Sequence, residues 1–166
     1  MSRSLENRLR AIEDKLAIYD LVSGFGPAVD SLSNDDAIAM WLENGSYEVD
    51  GIGDFHGRDG LNDLLTGEFH LAAMRRGGAH ILSMPYVRVD GDRAIATGYA
   101  QLFVKDGAVH AAIRTVAARW ELRRTAEGWR ISRRINAVFD GSEAARSLIG
   151  RRDQLPDDED ELAARR

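Results

Sequence analysis

Large apolar residues recur at every third or fourth position near the start of the chain, which is the spacing of one face of an amphipathic helix. The members of this stripe are Leu5, Leu9, Ile12, Leu16 and Tyr19. Continuing the stripe in helical steps reaches Ser23, Gly26 and Asp30, so the spacing predicts that Asp30 points to the interior. Pro27, in the GFGP segment at 24–27, either kinks this helix or restarts it.

The middle of the chain predicts short helices around a pair of short strands. Ser33 followed by Asp36 has the pattern of a helix cap, and the helix that it starts extends to about Trp41. The segment SYEVDGIGDFHG, at 46–57, alternates around glycines and predicts a strand, a turn and a strand. A third helix is predicted over 58–75, where two glycines follow it. Its inward residues are expected to be Leu61, Leu64, Leu65, Phe69 and Ala72.

The second half of the chain is β in character. Four segments joined by short turns predict four long strands, at 80–89, 93–104, 109–124 and 128–139. Consecutive strands with short turns favour an antiparallel meander, and helices followed by such a sheet predict an α+β domain with the helices on one sheet face. The domain is expected to span 1–150, with a short last helix at 143–149. The charged segment 151–166 is predicted to be a disordered tail.

Composition and charge narrow the class of protein. The 166 residues are 44% hydrophobic and 30% charged, as in globular domains. A net charge of −5 without clustered Lys and Arg argues against nucleic acid as a partner. The absence of cysteine excludes disulfides, thiolate nucleophiles and cysteine-ligated metals. No segment has the apolar length of a signal peptide or a membrane span, so we expect a cytoplasmic protein without a membrane partner.

His80 and Asp30 are the two residues whose positions suggest chemistry. A strand that begins at His80 puts Leu82, Met84 and Tyr86 on the same face, which predicts that His80 faces the interior. Asp30 is directed inward by an independent helical spacing, and a buried carboxylate is costly unless it is paired. The two residues are therefore predicted to be partners, in which the carboxylate orients the imidazole as a base.

Each of these assignments has a purely structural alternative. A single inward histidine such as His80 is more often a core residue whose nitrogens are satisfied by its neighbours. Asp30 can equally be a turn or capping residue beside Ser31 and Ser33. Tyr47, in the strand SYEVD, can supply a phenolic donor or can be an ordinary strand aromatic.

The last predicted strand, 128–139, carries two further polar candidates. Arg134 and Asn136 are expected to share one face of this strand, opposite the face of Trp129 and Ile131. On that face Arg134 can bind a leaving group or a carbonyl oxygen, or it can be solvated. The neighbouring Arg133 leaves this assignment open by one residue.

The remaining histidines form no recognisable metal site. His56 and His110 lie near a turn and a strand start, and His70, late in the third helix, is expected at the surface. No HxxxH or HxH spacing, carboxylate-rich loop or glycine-rich phosphate motif is present. The sequence therefore predicts neither a metal nor another cofactor.

Several stretches resemble the SnoaL-like branch of the NTF2-like superfamily. They are AIYDLVSGFGPAVD, WLENGSYEVDGIGDFHGRDG, the GAH that ends at His80, and GWRISRRINA, and together they cover most of the chain to about residue 140. The most specific is EVDGIGDFHG with the helix start that follows it. Within the branch the chain is most similar to hexachlorocyclohexane dehydrochlorinase, and more distantly to scytalone and bile-acid dehydratases. The resemblance implies a cone-shaped domain, with N-terminal helices on a long curved antiparallel sheet that has a mixed edge.

The resemblance also implies a function. By position, Asp30 and His80 would form a catalytic pair, while Tyr47 and Arg134 would line the substrate pocket, where Asn136 is expected as well. The implied activity is that of a cofactor-independent lyase, which abstracts a proton from carbon in a small apolar, cyclic substrate, as dehydratases do. A double-bond isomerase shares this first step, and a non-catalytic small-molecule-binding protein is the alternative outside catalysis. A homotrimer is implied too.

One position departs from the dehydrochlorinase pattern. That enzyme has a catalytic lysine five residues before its aspartate, whereas this chain has Phe25 there. Phe25 is thus expected to contact the substrate or the leaving group without supplying a charge. We therefore do not expect dehydrochlorination, but we do expect the elimination of another group.

Overall fold

The computed structural model describes residues 4–150 and 154–155. The helices in these residues are α1 (Leu5–Asp30), α2 (Asn34–Ala39), α3 (Gly57–Thr66), α4 (Glu68–Arg75) and α5 (Glu143–Gly150). The strands are β1 (Trp41–Val49), β2 (Gly53–His56), β3 (Ala79–Leu82), β4 (Tyr86–Asp90), β5 (Arg93–Asp106), β6 (Val109–Thr125) and β7 (Gly128–Val138).

The strands form one mixed sheet in the order β2-β1-β7-β6-β5-β3, and β4 also pairs with β5. Strands β5, β6 and β7 are the predicted antiparallel meander. Strand β1 lies parallel to β7 and carries β2 at the edge of the sheet. The predicted α+β domain, with helices first and a curved sheet with a mixed edge afterwards, is confirmed.

One apolar core fills the space between α1 and the sheet. Its fully buried side chains include Ile18 and Val22 from α1, Trp120 and Leu122 from β6, and Ile131 from β7. Burying an aliphatic side chain of this size stabilises the fold by about 1.5–3 kcal/mol. This core fixes the second half of α1 along the inner face of the sheet.

Helix α1 does not bury the face that the apolar stripe predicts at its start. Pro27 lies inside one continuous helix, so the helix reaches Asp30 without a restart. Near the start, the buried residue is Asp14, which accepts hydrogen bonds from Arg124 Nη2 at 2.7 Å and from Trp129 Nε1 at 3.2 Å. These contacts turn the opposite face of α1 to the sheet. The prediction is wrong for four members of the stripe, which are exposed: Leu5, Leu9, Ile12 and Leu16.

The predicted strand 80–89 is divided into β3 and β4, both of which pair with β5. Pro85 lies in the interruption, and proline has no N–H to donate to a strand ladder. The alternation that begins at His80 therefore does not continue through the break. Met84 and Tyr86 were expected to face inward, but they are 78% and 50% exposed.

The predicted helix 58–75 is two helices, because Gly67 between them is extended, with φ −70° and ψ 153°. One non-helical residue shifts the helical frame that follows it. His70 and Ala73 consequently face inward, while Phe69 is 45% exposed. The prediction of a surface position for His70 is wrong, since His70 is buried.

The end of the chain covers part of the outer face of the sheet. Helix α5, which matches the predicted last helix, packs its buried Ala145 against Ala117 of β6. Beyond it, the carbonyl oxygen of Gln154 accepts a hydrogen bond of 2.6 Å from Arg119 Nη2. Of the predicted tail, 151–166, residues 151–153 and 156–166 lie outside the described residues, and the disordered tail stays a prediction.

Candidate active site

Asp30 and His80 meet through two hydrogen bonds where the end of α1 crosses the start of β3. Asp30 Oδ1 lies 2.5 Å from His80 Nδ1, and Asp30 Oδ2 accepts a hydrogen bond of 2.7 Å from the His80 backbone N–H. The backbone bond fixes the carboxylate, and the fixed carboxylate orients the ring. The side chains are 25% and 21% exposed, for histidine and aspartate respectively. The pair is therefore partly open rather than sealed in the core.

Gly26 allows α1 to approach β3 closely enough for this contact. A Cβ atom at Gly26 would lie 2.8 Å from the backbone oxygen of His80 and 3.0 Å from Leu82 Cδ1. A backbone oxygen in a sheet cannot move aside as the end of a flexible side chain can. Glycine at this position is thus a steric requirement of the Asp30–His80 geometry.

We expect Gly26→Ala to lower the free energy of unfolding by about 1–3 kcal/mol, because the added methyl group forces the helix away from β3. Gly24→Ala is the matched control, since its Cβ would meet only Met40 Cε at 3.4 Å. That control should be neutral or should stabilise the helix by up to about 1 kcal/mol. Urea unfolding of both variants measures the difference, and equal stabilities would contradict the steric argument.

His80 lies in the wall of a cavity between the helices and the sheet, with an empty volume of about 580 Å³ counted out to its open mouth. Apolar residues such as Val29, Leu65 and Val116 form much of the wall. Its polar and ionisable members are Tyr47, His70, His80, Gln101, Arg114, Arg134 and Asn136. The cavity thus joins a largely apolar wall to a few polar groups.

Arg134 and Asn136 reach this cavity because of an irregularity in β7. Ile131 pairs with Leu122 and Arg133 pairs with Glu121, so Ser132 is an extra residue in β7. Such a bulge reverses the faces of the residues that follow it. Arg134 and Asn136 are consequently buried on the same side as Ile131, and their predicted placement on the opposite face is wrong.

The guanidinium group of Arg134 is enclosed by aromatic rings. Its Cζ atom lies 3.8 Å from the ring centroid of Trp120, 4.5 Å from that of Tyr47 and 4.7 Å from that of Phe25. Such cation–π contacts stabilise a buried cation in part. Burial still lowers the pKa of Arg134 to about 10, so the group is cationic at neutral pH. Its Nε and Nη1 atoms have no hydrogen-bond partner among the described residues.

Tyr47 and Asn136 form a hydrogen-bonded pair beside this cation. Asn136 Nδ2 donates to Tyr47 Oη at 2.7 Å, and Asn136 Oδ1 is buried without a partner in the described residues. Burial raises the pKa of Tyr47, which keeps the phenol protonated. Buried polar atoms are normally hydrogen-bonded. Arg134 and Asn136, which both line the cavity, therefore carry buried donor and acceptor atoms that no described residue satisfies.

Comparison with known proteins identifies the fold family. Residues 10–135 match the SnoaL-like domain. An NTF2-like protein with a cystatin-like fold from Novosphingobium aromaticivorans is 39% identical, with a TM-score of 0.85, and the match covers 87% of this chain and 94% of that chain. This chain belongs to the SnoaL-like family of NTF2-like proteins.

Two structures of lower identity share the fold with this SnoaL-like domain. A hexachlorocyclohexane dehydrochlorinase from Novosphingobium barchaimii is 20% identical, with a TM-score of 0.67 over 80% of this chain and 90% of that chain. A protein of unknown function from Nostoc punctiforme is 19% identical, with a TM-score of 0.64 over 76% and 92%. No curated protein matches the sequence.

His70 is a cavity residue of the SnoaL-like domain that the sequence analysis missed. Its ring stacks on that of His80 at a centroid distance of 5.8 Å, and its Nε2–H donates to the backbone oxygen of Val29 at 3.1 Å. Burial and the neighbouring His80 lower the pKa of His70, which keeps it neutral at neutral pH. His70 thus supports one face of the His80 ring. The glycine at position 67 was the available signal, since a glycine inside a predicted helix can mark its end.

The described residues contain neither a cluster of metal-binding side chains nor a membrane-spanning helix. Across 4–150 and 154–155, no group of three or more His, Asp or Glu side chains is placed to hold a metal ion. No helix within those same ranges is long and apolar enough to span a membrane.

Proposed function

We propose that this SnoaL-like protein is a cofactor-independent lyase that eliminates water from a small, largely apolar, cyclic substrate. The observation that carries the proposal is the Asp30–His80 contact in the wall of a cavity that also holds the buried, unpaired Arg134. The dehydrochlorinase of the same fold supports elimination chemistry. A protein that only binds an apolar molecule has no need of an oriented imidazole and a desolvated cation in the wall of one cavity.

His80 is proposed to be the base. Because Asp30 Oδ1 accepts the hydrogen bond from Nδ1–H, the ring has its lone pair at Nε2. In the first step Nε2 takes a proton from a carbon next to a carbonyl group, and the C–H electron pair moves into an enolate. The Asp30 carboxylate stabilises the imidazolium ion that results.

Arg134 and Tyr47 are proposed to hold the oxygen that becomes negative. The free N–H groups of Arg134 suit an enolate oxygen, and the low-polarity aromatic surroundings strengthen that interaction. The enolate then re-forms the carbonyl group, a C=C bond forms, and hydroxide leaves from the β carbon. The hydroxide takes the proton from His80 and departs as water, so the products are an unsaturated ketone and one water molecule.

Phe25 supports water rather than chloride as the leaving group. Its ring packs edge-on against Trp120 at a centroid distance of 5.3 Å, so an apolar side chain fills the position where the dehydrochlorinase resemblance would require lysine. Without that cation, we propose that chloride release from hexachlorocyclohexane is negligible. The homotrimer that the resemblance implies stays a prediction, and it concerns a different interface from the helix pair proposed below.

Deuterium exchange tests this function directly. We expect cyclic β-hydroxy ketones incubated with the protein in D₂O to incorporate deuterium at the α carbon and to lose the mass of one water, as read by mass spectrometry. An isomerase would instead convert a β,γ-unsaturated ketone to its conjugated isomer without loss of mass. Tight binding of these ketones with neither exchange nor turnover would contradict catalysis and would favour the binding protein.

A further inference from the structure

The start of α1 exposes a continuous apolar seam. Its members, which we call the seam, are Leu5 (78% exposed), Leu9 (54%), Ile12 (57%) and Leu16 (55%). They follow one another at intervals of four, three and four residues, which is the spacing of the d and a positions of a coiled coil. In this heptad frame Leu5 and Ile12 are at d positions, and Leu9 and Leu16 are at a positions. Large contiguous apolar surfaces on a soluble domain mark interaction sites.

The seam points away from the domain to which it belongs. Asp14, on the opposite side of the helix, is the residue that contacts the sheet through Arg124 and Trp129. In the same heptad frame Asp14 occupies an f position, which lies outside a coiled-coil interface. The domain body therefore leaves the seam open to another helix.

The charges that flank the seam have a definite order. Glu6 and Glu13 fall at e positions, Arg8 and Lys15 fall at g positions, and all four are exposed. In a parallel pair of identical helices, each g residue faces the e residue of the next heptad on the partner, so Arg8 faces Glu13. An antiparallel pair would place e beside e and g beside g, which repel. The charge pattern thus selects a parallel copy of the same helix.

We propose that the seam is an interface between copies of this chain, in which the first halves of two α1 helices pack in parallel and in register. The apolar seam provides the buried contact, and the flanking charges set the direction of the partner helix. The interface does not depend on the proposed lyase function, because none of its residues lines the cavity.

Cysteine cross-linking tests the register. The chain has no cysteine, so a single Leu16→Cys substitution gives one reactive thiol. In a parallel pair this position meets its own copy, and we expect a disulfide-linked dimer on mild oxidation. In an antiparallel pair it would meet Leu5 and no cross-link would form. Asn7→Cys, which is exposed at an f position, is the control and should remain monomeric on denaturing gels.

Charge reversal tests the direction independently. The double substitution Arg8→Glu with Lys15→Glu makes the g-to-e contacts repulsive, and we expect the dissociation constant of the assembly to rise about 10–50-fold by sedimentation. Adding Glu13→Lys and Asp20→Lys, at the exposed e positions that Arg8 and Lys15 face in a parallel pair, should restore it. These residues are exposed, so circular dichroism should show an unchanged fold. The proposal is overturned if the wild-type chain is monomeric or if the Leu16→Cys chain does not cross-link. It is also overturned if the charge reversal leaves the mass of the assembly unchanged.

Discussion

Replacing His80 with alanine is expected to reduce turnover about 10²–10⁴-fold, which is the usual contribution of a positioned base. The substitution removes Nε2, the proposed proton acceptor, while most of the cavity wall is unchanged. Ligand binding should therefore survive, and kcat should fall more than KM rises. Steady-state kinetics on the substrate found by deuterium exchange measures both parameters. His110→Ala, which changes an exposed histidine outside the cavity, is the control and should retain full turnover.

Asp30→Asn should be similarly severe for a reason that the geometry makes specific. The asparagine oxygen can keep the bond from the His80 backbone N–H, but its NH₂ group then faces Nδ1. That arrangement puts the ring proton on Nε2, so Nε2 has no lone pair with which to accept the substrate proton. The losses from the two substitutions should not add, because the residues act as one unit. If both variants are folded and turn over normally, His80 is a structural histidine and the lyase proposal is wrong.

The proximity of Asp30 and His80 could be predicted because each residue stands at the end of a regular element. The helical stripe that predicts an inward Asp30 is exposed at its start, so it predicts the buried side of α1 only near the end of the helix, at Gly26 and Asp30. The face that α1 buries near Asp14 is set by hydrogen bonds to Arg124 and Trp129, more than 100 residues away in sequence. Helical spacing contains no information on such a partner.

His70 and Arg134 could not be placed correctly, because each follows a single-residue irregularity. The extended residue at Gly67 breaks the helical frame of the residues that follow it, and the bulge at Ser132 moves the following side chains to the other sheet face. Hydrophobic periodicity predicts neither the helix break at Gly67 nor the bulge at Ser132. Both irregularities occur beside the cavity, where bulges are common in proteins.

Arg134→Met is expected to separate function from stability. Turnover should fall about 10²–10³-fold, because the substitution removes the donors proposed for the enolate oxygen. The free energy of unfolding should change by less than about 2 kcal/mol, since losing the cation–π contacts is offset by removing a desolvated charge and its unpaired N–H groups. Urea unfolding and steady-state kinetics on the same preparation give the two values.

Arg124→Met is the matched comparison. It removes an arginine that also lies over an aromatic ring but whose guanidinium is hydrogen-bonded to carboxylates. The Arg124 guanidinium lies 4.5 Å from the Trp129 ring and donates to Asp14 and Asp92, and it holds the pKa of the Asp14 carboxyl below its ordinary value. Without it the buried Asp14 loses its counter-ion, so about 1–3 kcal/mol of stability should be lost while turnover is kept at temperatures below unfolding. A stability loss in both variants, with turnover unchanged in both, would make Arg134 a structural cation and would remove the proposed oxyanion site from the cavity.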